Sequence, residues 1–170
     1  MMENTVRSAL PRLVNRTMSL FNPFFHRGPV RDAAFFFGRQ REIRQVLSLL
    51  GNRQSVSLVG QRRIGKTSLL FHIARPETCR QHGLDPEKML FVYIDCGGLS
   101  DLDPPGLYRV FLEEIDDVLV DRDPSGRLEI PDRAQPLTYR RFERTLRGLT
   151  RGGWRLIITL DEFERMSLNP

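Results

Sequence analysis

Apolar residues change period several times along the chain, and the changes predict its elements. Ile43, Val46, Leu47 and Leu50 recur at helical spacing before Gly51 and Asn52, which supply a stop. Val56, Ser57, Leu58 and Val59 then read as a first core strand. After a glycine-bounded break, Ser68, Leu69, Leu70, Ile73 and Ala74 predict a helix that Pro76 ends. Residues 76–88, polar with Pro and Gly, read as a connection. Residues 89–95 (Met-Leu-Phe-Val-Tyr-Ile-Asp) are a near-continuous run of strand formers, expected where both sheet faces are covered. Asp103 before Pro104 predicts a capped helix start, with Leu107, Val110, Phe111, Ile115, Val118 and Leu119 on one face. A proline-bearing stretch over 121–137 follows, read as a long surface loop or an insertion. Thr138 caps a second helix carrying Phe142, Leu146 and Leu149, which ends near Gly152 and Gly153. Residues 154–160 form a last strand that runs into Asp161 and Glu162. Strand, helix and strand in this order predict parallel βαβ units.

The break after the first strand carries the most specific chemistry. Gly60-Gln61-Arg62-Arg63-Ile64-Gly65-Lys66-Thr67 is the phosphate-loop spacing, placed between a strand and a helix as that motif requires. The two glycines permit a tight backbone whose N–H groups, with the N-terminus of the next helix and its Ser68, surround a polyphosphate. Lys66 reaches the outer phosphates as a point charge. Thr67 offers a hydroxyl to a small hard cation such as Mg²⁺. Only Lys66 and Lys88 among 26 basic residues are lysine, so a merely solvated cation at this position would be expected to be Arg.

Asp161 and Glu162 end a strand, where parallel α/β sheets bind their ligands. There Asp161 orients the Mg²⁺ shell, and Glu162 accepts a proton from, or aligns, the water that attacks the terminal phosphate. Glu164 and Arg165 read as surface residues. The usual guanine-reading segment Asn-Lys-x-Asp does not occur, which favours adenine and hence ATP.

Together, Phe37-Gly38-Arg39-x-x-Glu42-Ile43, the 60–67 loop, and Leu160-Asp161-Glu162-Phe163 resemble the N-terminal half of AAA+-like ATPases. The pattern is similar to archaeal-type ATPases, STAND signalling NTPases and origin-recognition-like initiator ATPases. The resemblance implies a three-layer αβα P-loop NTPase fold around a parallel sheet. It also implies a base pocket helped by Phe37, Gly38 and Arg39, although the same segment is equally read as a helix start packed on the sheet. Asp95 matches a position that engages the catalytic glutamate; beside Glu162 it would alternatively repel it. Such domains insert a further strand, bearing a polar sensor, between the acidic strand and the phosphate-loop strand. The chain ends at Pro170, just beyond the acid pair, so the expectation is a C-terminally truncated domain: a fragment or a short chain standing alone, and marginally stable.

Composition alters this picture little. The 170 residues, 40% hydrophobic and 28% charged, suit one domain with a real core, and the net charge of +5 is compatible with nucleotides, nucleic acid or anionic membrane. The arginines read as dispersed, without a recognition helix. Cys79 and Cys96 lack CxxC spacing, and the three histidines are scattered, so neither a disulfide framework nor a zinc site is expected and a cytoplasmic setting is natural. No run reaches the length of a membrane span. Residues 1–34 read as an irregular or short-helical leader, poor in acids as transit peptides are, and 35–170 as the ATPase part. The expected activity is ATP·Mg²⁺ binding and hydrolysis coupled to conformational change, with protein partners or self-association. The alternatives are a nucleotide-dependent DNA-binding or signalling switch that hydrolyses little, and an inactive remnant.

Overall fold

The computed structural model describes residues 28–168. The leader therefore lies outside the described residues except for its last part, where Asp32 caps a short 3-10 turn at Ala33–Phe35. Helices α1 (Gln40–Gly51), α2 (Lys66–Ile73) and α3 (Pro76–Gln81) precede strand β1 (Met89–Asp95). Helices α4 (Pro104–Arg122) and α5 (Tyr139–Arg151) then lead to strand β2 (Arg155–Asp161). The helix predictions are met to within a few residues. Pro76 ends α2 and also starts α3, because the first helical position needs no N–H donor; a helical turn therefore stands in the segment expected to be a plain connection.

β1 and β2 form a two-stranded parallel sheet, paired from Met89 opposite Arg155 to Asp95 opposite Asp161. α4 and α5 supply the crossover that parallel strands need. This register sets the two strand-end acids side by side. Residues 56–59, expected as a strand, run without ladder partners: no strand among the described residues lies alongside them. An apolar, β-branched sequence supplies side chains for a strand, but the strand exists only where a neighbour takes its N–H and C=O groups. Val56 and Leu58 pack inward, whereas Val59 is 93% exposed.

Alternate residues of β1 feed two cores. Leu90, Val92 and Ile94 pack with Leu112, Ile115 and Leu119 of α4 and Leu149 of α5. Phe91 joins the other core, built from Ile43, Val46 and Leu47 of α1, Leu69 and Ile73 of α2, and Cys79 of α3. Leu112, fully buried, is an α4 contact that the period count passed over. Near the start of the described chain, Val30 N–H donates to Ser68 Oγ at 2.9 Å, Arg31 stands 4.2 Å over the Phe71 ring, and Phe36 stacks on His72 at 4.0 Å. Burial first, and then the charge of Arg75, lower the His72 pKa, so the neutral ring is what packs there.

Candidate functional site

The site begins with the backbone of the 60–67 loop. Gly65 takes φ +87°, a left-handed conformation that a glycine adopts without a steric penalty, and it stands at the N-cap of α2 with no side chain capping the helix. The N–H groups of the first α2 turn have no intrahelical acceptors. Arg63 also has positive φ, 64°. Lys66 folds back over the loop, its Nζ donating to Gly60 O at 2.9 Å and Gln61 O at 3.2 Å. An ammonium resting on two solvent-exposed carbonyls can exchange them for anionic oxygens, which make the stronger charge-assisted bonds.

Arg39, itself at φ 60°, reaches the same loop, its guanidinium donating to Gly65 O at 3.4 Å and to Ile64 O. The Phe37-Gly38-Arg39 turn is thereby joined to the 60–67 loop across 25 or more residues of sequence. Phe37 is left 79% exposed and Ile64 half exposed, an apolar flank beside a cationic loop that also displays Arg62 and Arg63.

Asp161 ties the loop to the sheet. Thr67 Oγ1 donates to Asp161 Oδ2 at 2.6 Å, a contact spanning 94 positions of sequence, and Tyr93 OH donates to the same oxygen at 2.9 Å. Asp161 Oδ1 accepts the Glu162 N–H at 3.1 Å. Burial, followed by the hydrogen bond and charge of Asp161 and the charge of Asp95, pushes the Tyr93 phenol well above its ordinary value of 10.0, against a smaller opposing effect of Arg31. The phenol is therefore a fixed donor.

Glu162 has φ 51°, and its Oε2 takes Arg165 Nε at 2.7 Å. Arg165 is on the surface, as expected, but is committed to Glu162. Asp95 Oδ1 accepts the Gly97 N–H at 2.9 Å. A β-carbon on Gly97 would lie 3.1 Å from Asp95 Oδ1 and 3.2 Å from Glu162 Oε2, so any larger residue would crowd both carboxylates. No hydrogen bond joins Asp95 to Glu162 among the described residues: Asp95 holds the Gly97 N–H and Glu162 holds Arg165. Cys96, buried beside them, has its thiol pushed up by burial and then by the charges of Asp95, Asp161 and Glu164, which favours its protonated form.

The fold thus gathers Gly60, Gln61, Ile64, Gly65, Lys66, Thr67, Arg39 and Asp161 into one hydrogen-bonded cluster, with Glu162 adjacent through its backbone. Ser68 is turned to Val30 instead. Tyr93, Gly97 and Arg165 are contributors that sequence reading missed. The only available signal was that Tyr93 and Asp95 share a strand face.

Among the described residues, no three or more His, Cys, Asp or Glu side chains gather as a metal cage. One hydroxyl and one carboxylate do converge. That donor set fits Mg²⁺, which keeps most of its waters and is held by one or two protein oxygens plus phosphates. No helix among the described residues is long and apolar enough to cross a membrane. Comparisons with family models, curated proteins and solved structures returned no match.

Proposed function

We propose that this chain binds ATP with Mg²⁺ through the 60–67 loop, as an AAA+/STAND-type ATPase module with the three-layer αβα P-loop architecture. The reading rests above all on the 2.6 Å contact between Thr67 Oγ1 and Asp161 Oδ2, which joins an uncapped, glycine-bounded helix N-terminus to an acid at the end of a parallel strand. The loop N–H groups and Lys66 bind the phosphates, with Arg62 and Arg63 adding charge and Phe37, Gly38 and Arg39 bordering the base. Thr67 and Asp161 would hold the cation, whose charge would offset that of the phosphates. Glu162 orients the attacking water and takes its proton as the terminal phosphoryl group moves to that water, with its bond to the bridging oxygen breaking and ADP leaving. Two free, buried thiols suit a reducing cytoplasmic setting. Nucleotide-dependent contact with protein partners or further copies is the expected output.

A second reading, a nucleotide switch that hydrolyses slowly, draws support from the Arg165 guanidinium held on the Glu162 carboxylate. One experiment addresses both. In thermal unfolding of the full chain, ATP·Mg²⁺ at a hundred times its Kd stabilises the fold by about 2.7 kcal/mol, and Lys66→Ala removes that gain. An equal gain in the variant, or none in the parent chain, overturns the assignment of the loop. Stabilisation accompanied by phosphate release that Glu162→Gln abolishes selects the ATPase; stabilisation without release selects the switch.

A further inference from the structure

We propose that the exposed arginine face of α5 binds the phosphodiester backbone of a nucleic-acid duplex. The arginines that read as dispersed in sequence are gathered by this helix. Arg140, Arg144, Arg147 and Arg151 recur every three or four residues, so they share one face, and all four are exposed. The stripe is about 16 Å long at the helical rise. Glu143 is the single acid of α5 and pairs with Arg147 at 2.7 Å; Arg140, Arg144 and Arg151 have no ion-pair partner among the described residues.

The fold does not require this charge. Three like-charged neighbours at i,i+3 or i,i+4 each disfavour a helix by roughly 0.2–0.5 kcal/mol. Gly148 lies on the same face, between Arg147 and Arg151, and a β-carbon there would meet nothing within 4 Å among the described residues. A helix-interior glycine costs about 1 kcal/mol relative to alanine, and no contact among the described residues calls for it. What its bare backbone provides is a low point where a rigid partner can approach. A concavity of about 720 Å³ follows the stripe, and an adjoining one of about 410 Å³ brings Arg127 of the preceding loop to Arg144 and Gly148.

The partner's chemistry follows from what this face has and lacks. Phe142, Leu146 and Leu149, the apolar face of α5, are packed on the core, so the helix has no apolar face to insert into a membrane. Binding must come from charge and from the guanidinium fork, which matches phosphate oxygens. A straight row of cations on a rigid helix suits a rigid, uniformly charged backbone, and a duplex carries one charge per about 1.7 Å of its axis. The row touches phosphates and does not read bases. The inference is independent of nucleotide binding at the 60–67 loop.

The test is fluorescence anisotropy of a short labelled DNA duplex with the full chain, without nucleotide, across a salt series. Four neutralised phosphates give a slope of log K against log salt of about −3.6, an affinity loss of about 150-fold between 50 and 200 mM. Arg144→Gln with Arg151→Gln halves that slope to about −1.8, a loss of about 12-fold. Arg144→Lys with Arg151→Lys keeps it, as does Arg44→Gln on the exposed side of α1. A slope unchanged by the Gln pair, or binding to phosphatidylserine vesicles with none to duplex, overturns the proposal.

Discussion

Asp161 is the residue on which the candidate site turns, because one carboxylate receives a loop hydroxyl, a strand phenol and a backbone N–H. Gly60, Gly65, Lys66, Thr67 and Asp161 were legible in sequence, since the motif fixes the first four by local spacing and an apolar run ending in an acid marks the fifth. Tyr93 was not legible, because its bond depends on which strand lies beside β1 and in what register. Its raised pKa has a consequence for stability. The unfolded chain releases the phenolic proton near pH 10, before the folded chain does, so this contribution is complete below that pH and is lost as pH rises above it. Chemical denaturation from about pH 9 to 11 should show the parent chain losing stability more steeply than Tyr93→Phe.

Elements follow the sequence where their signals are local. Asp103 Oδ1 accepts the Gly106 N–H at 2.9 Å, and with Pro104 it starts the 19-residue helix α4 where the dipeptide predicts. Asp103→Ala should lower stability by about 1 kcal/mol in urea unfolding, by leaving that N–H without its cap. Residues 56–59 show the opposite case. Their side chains have strand character, yet a strand is a relation between two chain segments, and no hydrogen-bonding neighbour lies beside them among the described residues. In α5 the apolar positions were visible in sequence, but the arginine stripe acquires meaning only when the other face is seen packed on the sheet.

Across the whole molecule, β1 lies between two cores, and its alternating side chains couple them. Leu112 is fully buried in the core that also holds Leu156, Ile158 and Leu160 of β2, the strand that presents Asp161. Leu112→Ala should cost about 2–5 kcal/mol, read by thermal or urea unfolding, through lost burial and the cavity left behind. The sequence by itself determined the spans of α1, α2, α4 and α5 to within a few residues, the caps at Asp103 and Thr138, the apolar runs at 89–95 and 154–160, and the spacing of the 60–67 loop. These depend on residues a few positions apart, whose backbone preferences and hydrogen bonds act locally. Only the tertiary structure decided that Thr67 meets Asp161, that Arg39 grips the loop, that Glu162 is held by Arg165, and that residues 56–59 run without a partner strand. Most of these contacts span tens of residues and follow from strand register and helix packing, which local preference does not set; the Glu162–Arg165 pair depends on the left-handed turn that the chain takes as it leaves the sheet.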